Sequence, residues 1–576
     1  MRRRWLGWLL VLVTIAACLA TSVAAYKLAG YSWNQVVDYR SPYTSVGSAE
    51  ASGVAAPLAN RVVLVIVDGL RLDTSRRMHS VQALRAYGNS LVLTAPQPSL
   101  SHPNWTTILS GAPQPISGVT TNWYEGRVRV QTLLDSAIAS GLPTVVVGPK
   151  SMQALYGAER AKASYLRDWK HGKYLSGELV THAIALIRES DARFVVLHLP
   201  DIDEAGHASG GASEAYAQAA SSVDNDVARL VAAFPDAKTT FVITTDHGHI
   251  DTGGHGGWEG EVVRVPAVFT GAGVQLGEGT GRLEDIAPTV ATLLGIPVPR
   301  QSVGQVLPGV LDAPRSVTVA AQRERAAAVS DYVRLVLAPV DAKTRGQVVE
   351  AASQDPSAER LRAYEIRSTY ERGKRVPQAL IILAVALGVL LVIGLVSRRG
   401  FVAALFGVAA YYAVYGALFF GLHHDRWSLS SFNSEALLQS FFNMRMLESA
   451  IAGLIAALTA GLVYPLLRRS PKGPREGFGG RWAVLGPVTV LAIQATLAMQ
   501  VAWFVWQYGA NVTWTLPDFR WGFKYDLDLI QTTALAAAAV LGAVVTYLVG
   551  RYHPRVLRAT AERVQGEQAD VANSTS

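Results

Sequence analysis

Two hydrophobic patterns divide the chain, one of short apolar runs and one of long apolar segments. Between residues 61 and 270 the runs are short and rich in β-branched residues, which is typical of strands buried on both faces of a parallel sheet. The predicted strands are Arg61–Val67, Leu91–Thr94, Thr144–Val147, Arg193–Leu199, Thr239–Thr245 and Val265–Thr270. Because helix-like stretches separate them, the pattern predicts an α/β sandwich with a mostly parallel central sheet.

In the stretches between the predicted strands, apolar residues recur with the period of a helix. They predict helices over Val130–Ser140, Gly177–Glu189, Ser213–Phe234 and Asp285–Leu294. Two more helix-like stretches, Ala320–Leu337 and Ser357–Gly373, follow the last strand. We expect these two helices to form a stalk between the α/β domain and a membrane.

The long apolar segments predict that membrane region. The chain opens with MRRRW, and the almost wholly apolar Leu6–Ala25 that follows is typical of a signal anchor. Five more segments come later, namely Val376–Val396, Phe401–Leu422, Leu447–Leu467, Trp482–Trp506 and Ile530–Val549. Since a spanning helix needs ~20 apolar residues, we predict an α-helical transmembrane region with six spans in all.

The charges between the long segments predict the orientation. Three stretches, Ser397–Gly400, Arg468–Arg481 and the tail from Arg551, are basic, as cytoplasmic connections are. The α/β domain would then lie outside the cytoplasm. We therefore expect a multi-pass protein of the cytoplasmic (cell) membrane with an extracytoplasmic catalytic domain.

These patterns predict six regions along the chain. They are a signal anchor (1–26), a linker (27–60), an extracytoplasmic α/β domain (61–312), a helical stalk (313–375), a five-span membrane domain (376–550) and a cytoplasmic tail (551–576).

Composition narrows the function classes. Apolar residues make up 50% of the chain and charged residues 17%. The formal charge of +8 is spread along the chain, so we expect no nucleic-acid partner. The single cysteine, Cys18, lies in the first apolar segment, which excludes a disulfide framework and a cysteine nucleophile in the α/β domain.

Carboxylates and histidines follow several of the predicted strands. They are Asp68, Asp203 with His207, Asp246 with His247, and His255 on a glycine-rich loop. Any one of them alone would be a capping carboxylate or a surface histidine. Together, at matching strand ends, they are sufficient for two adjacent metal sites, and mixed Asp and His ligands favour Zn²⁺, with Mn²⁺ as the second candidate.

A candidate nucleophile lies in the loop at 96–118. Ser101 stands where a helix-like segment begins, and a helix N-terminus favours an incoming phosphate. The alternative is that Ser101 only caps the helix.

Five motifs in order resemble the alkaline phosphatase superfamily. They are VLVIVDGLR, SLSHPNWTTILSGAPQPISGVTTN, DEAGH, TTDHGH with GGHGG, and IAPTVATLLGIPVP, which together cover about residues 60–310. The most similar branch is that of the type I phosphodiesterases and nucleotide pyrophosphatases. The order of anchor, outer domain and several later spans is similar to that of the GPI ethanolamine phosphate transferases, in which the phosphoryl donor is a lipid.

The resemblance implies a role for each matching residue. One metal ion would be held by Asp68, Ser101, Asp246 and His247, and the other by Asp203, His207 and His255. Ser101 would be the nucleophile that forms a phosphoseryl intermediate, and Asn122 would bind a phosphoryl oxygen. His249 stands where the family often has Met, so we expect it to support a ligand or to have no role. No role is assigned to His102.

These features favour a membrane-anchored, metal-dependent phosphoesterase of the phosphodiesterase or pyrophosphatase type. Transfer of a phosphoethanolamine-type group to a lipid or glycan is the alternative. A sulfatase is less favoured, since Ser101-His102-Pro103-Asn104-Trp105 lacks the arginine of its motif, and a non-catalytic binding domain is less favoured because the ligand set is intact. The expected partners are membrane lipid and a phosphoester substrate, which in the transferase alternative is attached to a lipid or glycan.

Overall fold

The computed structural model describes residues 2–44, 56–168, 174–432, 434, 437–467 and 480–574. The middle of the predicted linker (45–55) and most of the basic connection at 468–481 lie outside the described residues.

An eight-stranded sheet forms the α/β part of the described chain, in the order β4-β3-β5-β1-β6-β7-β2-β8. The strands are β1 (Arg61–Val67), β2 (Gly88–Thr94), β3 (Thr144–Pro149), β4 (Ala163–Arg167), β5 (Phe194–Leu199), β6 (Thr239–Thr244), β7 (Arg264–Gly271) and β8 (Gly277–Arg282). Only β7 runs antiparallel to its neighbours β6 and β2. The predicted α/β sandwich with a mostly parallel sheet is confirmed.

Two edge strands have no counterpart in the sequence-based prediction. β4 is half-exposed and mixes polar and apolar residues, and β8 reads GEGTGR, with no apolar residue at all. Each pairs with only one neighbouring strand, so neither needs the continuous apolar run that marks a central strand.

Helices cover both faces of the sheet. The longer ones are Ser101–Ser110, Ser176–Ser190, Asp201–Ser209, Glu214–Ala232 and Ile286–Leu294, and the shorter ones are Leu72–Ser75, His79–Ala86, Gln114–Ser117, Leu133–Ala139, Ser151–Tyr156 and Gly260–Val263. Alternate residues of β1 face opposite cores. Leu64 packs in one core with Trp105 and Leu133, while Val65 packs in the other with Leu179 and Val223.

Six helices of the described chain are long and apolar enough to cross a membrane. They are Trp5–Val37, Pro356–Val396, Arg398–Leu422, Leu438–Leu466, Leu485–Gln507 and Phe519–Tyr552, the last being the apolar part of a helix that runs over Phe519–Ser574. This number agrees with the predicted six spans.

The second of these helices differs from the prediction of a separate stalk helix and span. Pro356–Val396 is one continuous helix of 41 residues, here called the stalk helix, although Pro377 lies inside it. Its first half is fastened to the α/β part. Arg360 pairs with the buried Glu284 at 3.0 Å, and the Arg367 guanidinium donates to the Val336 carbonyl at 2.6 Å, at the end of the neighbouring helix Arg315–Val336.

Two connections between the spans lie on the same side of the helical bundle as the α/β part. Residues 427–432 contact the loop around His255, and Trp514 packs on Tyr364 of the stalk helix. This placement follows from alternate crossings of six spans.

Candidate metal centre

The central strands bring the predicted carboxylates to one edge of the sheet. In the parallel pairs of β1, Ile66 lies beside His198 of β5 and Thr244 of β6. The three strands therefore end together, and the residues that follow them share one edge. Ligands of open α/β sheets bind at this carboxyl edge.

The first group consists of Asp68, Asp246 and His247, whose ligand atoms all lie within 4.8 Å of one another. His247 Nε2 is 3.4 Å from Asp68 Oδ1 and 3.5 Å from Asp246 Oδ2. Ser101 Oγ is 3.5 Å from the same nitrogen. The structure thus brings together all four residues that the sequence predicts for one metal ion.

Ser101 is the first residue of the helix Ser101–Ser110, and Leu100 is its N-cap. No side chain caps this helix, so the alternative in which Ser101 only caps it is not what the structure shows. Its hydroxyl is left to face the carboxylate and histidine group.

Asp246 is held in a fixed orientation by the surrounding chain. Trp105 donates its indole N–H to Asp246 Oδ2 at 2.8 Å, and the backbone N–H of His247 donates to Oδ1 at 3.0 Å. Sequence reasoning gave Trp105 no role. Such partners orient a metal ligand and are part of most metal sites.

The second group surrounds Asp203, which begins the DEAGH motif on the helix Asp201–Ser209. His207 Nε2 lies 3.4 Å from Asp203 Oδ2 and 3.2 Å from His255 Nε2. His255 donates from Nδ1 to the Ser99 carbonyl at 3.1 Å, which directs Nε2 toward Asp203. The three residues predicted for the second metal ion are therefore adjacent.

Two further histidines contact the ligand carboxylates. His198 Nε2 is 2.7 Å from Asp68 Oδ2, and His249 Nε2 is 2.8 Å from Asp203 Oδ1. His198 was not singled out from the sequence, although a histidine inside the apolar strand RFVVLHL was a usable signal. His249 was expected to support a ligand or to have no role.

The electrostatics of the cluster fit a divalent cation. Burial and the neighbouring carboxylates of Asp246 and Asp203 raise the pKa of Asp68 well above its ordinary value. Asp68 Oδ1 is buried and accepts no hydrogen bond from the described residues. Burial and nearby His247 lower the pKa of His255 well below its ordinary value, which favours the neutral imidazole that binds metals. A cation would stabilise crowded carboxylates and bare ring nitrogens together.

A cavity of about 560 Å³ opens over both groups. Asn122 lines it, and Asn122 Oδ1 accepts the backbone N–H of His102 at 3.0 Å, which leaves the amide N–H₂ as a donor. Lys150 and Arg167 also line the cavity; the sequence favoured a solvated Lys150 over a phosphate contact and gave Arg167 no role. Phe432 and Leu437 close one wall, and they come from the connection that leads into the span Leu438–Leu466.

Residues 427–432 of that connection, here called the strap, lie directly on the His255 loop. Ser430 Oγ accepts the Gly257 N–H at 3.0 Å and donates to the buried Glu259 Oε2 at 2.9 Å, while Trp258 donates to the Trp427 carbonyl. A Cβ at Gly254 would lie 2.0 Å from the Ser430 carbonyl oxygen. The glycines of GGHGG therefore allow the strap to pack closely on this loop, in addition to forming the turn around His255.

We expect Ser430→Ala to loosen this contact. The change leaves the Glu259 carboxylate and the Gly257 N–H without their buried partner, which costs about 1–3 kcal/mol. The thermal midpoint of the full chain in detergent and its turnover should both fall. The matched control is Ser431→Ala, since the partly buried Ser431 hydroxyl bonds only to the backbone of Arg426, outside the strap. Equal midpoints and turnover for the two variants would show that the strap does not support the site.

Comparison with known proteins agrees with the resemblance. Residues 62–264 match the family model of type I phosphodiesterase / nucleotide pyrophosphatase. GPI ethanolamine phosphate transferase 1 of Mus musculus is 28% identical over 310 residues, which are 44% of this chain and 33% of the relative. GPI ethanolamine phosphate transferase 2, catalytic subunit, of Homo sapiens is 23% identical over 289 residues, or 46% of this chain and 29% of the relative. The chain thus spans about a third of the length of these relatives.

Two solved structures also align with the α/β part of the chain. Wild-type alkaline phosphatase PafA aligns with a TM-score of 0.40 at 14% identity, over 45% of this chain and 100% of that chain. Murine ectonucleotide pyrophosphatase / phosphodiesterase 5 aligns with a TM-score of 0.36 at 12% identity, over 41% of this chain and 96% of that chain.

Proposed function

We propose that this chain, whose α/β part is an alkaline phosphatase superfamily domain of the type I phosphodiesterase kind, is a membrane-bound phosphoethanolamine-type transferase. It would move a phospho-alcohol group from a membrane phospholipid to a hydroxyl of a glycan or glycolipid. The sequence alone favoured hydrolysis, with transfer as the alternative. The matched relatives are named as transferases, so the alternative is now better supported.

One structural observation carries the proposal. The cavity over Ser101 is walled on one side by Phe432 and Leu437, at the entrance to a span. A hydrolase of soluble esters has no need for its membrane region at the reacting centre. A lipid-linked substrate held at the bilayer surface would meet the nucleophile at this wall.

Two divalent ions, held by the residues named above, would lower the pKa of the serine hydroxyl and neutralise the phosphoryl oxygens, and the mixed Asp and His donor set favours Zn²⁺. The donors present suit this role. Asp68, Asp246 and His247 form one group within 4.8 Å, and Asp203 lies within the same limit of further histidines.

The residues of the chain then account for two displacements. Ser101 Oγ attacks phosphorus, the P–O bond to the lipid alcohol breaks, and that alcohol leaves with the proton that the Ser101 hydroxyl gives up. The backbone N–H of Ser101 and the Asn122 amide would donate to the phosphoryl oxygens. The acceptor hydroxyl next attacks the phosphoserine, gives up its proton, and restores the Ser101 hydroxyl.

This proposal is tested by measuring whether the phospho-alcohol group is transferred to an acceptor or to water. The full chain is given phosphatidylethanolamine labelled in the headgroup, with and without the glycolipid fraction of the source cells, and the products are separated. We expect the label to appear on glycolipid and diacylglycerol to form in equal amount. Free phosphoethanolamine as the sole labelled product, at a rate that acceptor does not change, would establish hydrolysis instead.

The orientation in the membrane is part of the same proposal. The basic connections favour a cytoplasmic C-terminus and an α/β domain on the outer face. A reporter fused after Ser576 should be active only as a cytoplasmic reporter, and an external signal would refute the orientation.

A further inference from the structure

His249 lies inside the candidate metal centre, although the family resemblance does not make it a metal ligand. It follows the Asp246-His247 pair by two residues, and its Nε2 atom lies 2.8 Å from Asp203 Oδ1. Asp203, His207 and His249 form a group of possible ligand atoms within 4.8 Å of one another. His249 therefore lies among the residues already assigned to the second metal ion.

The contact of Nδ1, the other ring nitrogen of His249, defines the tautomer of this ring. Nδ1 faces the carbonyl oxygen of Gly253 in a short contact, and a carbonyl can only accept a hydrogen bond. Nδ1 must therefore carry the proton. In the neutral imidazole with this tautomer the Nε2 lone pair faces the Asp203 carboxylate, an arrangement in which both atoms can bind one cation.

His255 is built in the same way. Its Nδ1 donates to the backbone carbonyl of Ser99 at 3.1 Å, and its Nε2 lies 3.8 Å from the same oxygen, Asp203 Oδ1. A histidine whose other nitrogen donates to a backbone carbonyl is the usual form of a metal ligand. His249 has this form as fully as the predicted ligand does.

Two motif glycines make room for the ring. A Cβ at Gly206 of DEAGH would lie 2.7 Å from His249 Nε2, and a Cβ at Gly69 would lie 2.9 Å from the same atom. Any side chain at either position would push the ring away from Asp203. The absence of a side chain at Gly206 therefore leaves the space that the His249 ring occupies.

We propose that His249 is a fourth protein ligand of the second metal ion, in addition to Asp203, His207 and His255. The proposal rests on the metal dependence of the proposed function and not on the choice between transfer and hydrolysis. With four protein ligands in place of three, this ion would be retained more firmly.

Cobalt substitution tests the ligand directly. In the Co²⁺-loaded full chain, each coordinated histidine gives one strongly shifted proton signal from its remaining N–H, and the signal disappears in D₂O. We expect four such signals, from His207, His247, His249 and His255, and three in His249→Met. His249→Gln should also give three, so the result does not depend on one variant folding.

The outcomes separate the inference from the function on which it rests. His102→Asn, which removes a cavity histidine outside the ligand set, should keep four signals. Three signals in the wild-type chain, unchanged in His249→Met, would overturn the role of His249 and leave the metal centre intact. A wild-type chain that gives no shifted signal and binds no Co²⁺ would contradict the metal dependence itself.

Metal retention provides a second measurement. We expect one of the two ions to leave His249→Met about 10–100-fold faster in the presence of a chelator, while the other leaves at the wild-type rate. Identical release of both ions in His249→Met and the wild-type chain would contradict the fourth ligand.

Discussion

Replacement of Ser101 by alanine is expected to abolish turnover. Ser101 Oγ is the hydroxyl placed 3.5 Å from His247 Nε2 at the N-terminus of its helix, and no other described serine has this position. Loss of an attacking group removes the covalent route, and we expect a fall of at least about 10³-fold in kcat. Turnover of a p-nitrophenyl phosphodiester by the purified full chain measures it.

The control for this variant lies in the same helix. Ser110→Ala removes a buried hydroxyl that bonds only to the Thr106 and Ala112 backbone. It should keep its metal content and most of its turnover. The Ser101 variant should also keep its metal ions, because the carboxylate and imidazole ligands stay in place. Substantial turnover in Ser101→Ala with a normal metal content would exclude Ser101 as the nucleophile.

Replacement of Asp203 by asparagine is expected to lower turnover about as much as Ser101→Ala does, but through the loss of a metal ion. The Asp203 carboxylate lies 3.4 Å from His207, 2.8 Å from His249 and 3.8 Å from His255, so one negative charge contacts all three rings. Without it the metal content should fall from two ions to one per chain. Because a metal supplies several kcal/mol of transition-state stabilisation, we expect a loss of about 10³-fold in kcat.

Asp201→Asn is the matched control for Asp203→Asn. Asp201 is also buried and lies two residues away, but its carboxylate accepts the backbone N–H groups of Leu175 and Ser176 outside the centre. It should lower stability without loss of an ion. Two ions retained in Asp203→Asn, as shown by metal analysis, would contradict the assignment of Asp203.

The sequence was sufficient for the parts of the fold that are buried on both sides. β1 and β6 are runs of apolar and β-branched residues because each lies between two strands and under two helical layers. β8 is an edge strand and carries glycines and charges, so no hydrophobic period marks it. The stalk helix was predicted as two elements because its composition changes from polar to apolar near Val376, whereas the structure continues through this change, and through Pro377, as one helix.

The same limit applies to the candidate centre. The residues that follow β1, β5 and β6 could be grouped from sequence because parallel strands end at one edge. The contacts of His249 could not, since they depend on the path of the loop to Gly253 and on the space left by Gly69 and Gly206. The strap was equally hidden, because about 170 residues separate Ser430 from its partners Gly257 and Glu259.

The stalk helix imposes a rule on how the length of this protein can vary. It is attached to the α/β part at Arg360 and Arg367 and then enters the membrane without a break, over 41 residues or about 60 Å. One residue inserted between Arg367 and the span would rotate the helical bundle by about 100° relative to the α/β part. The strap would then lose its contact with the GGHGG loop. Insertions of seven residues, close to two full turns, would nearly restore the rotation but would raise the domain by about 10 Å. Natural variants should therefore conserve the residue count of this helix more strictly than its sequence.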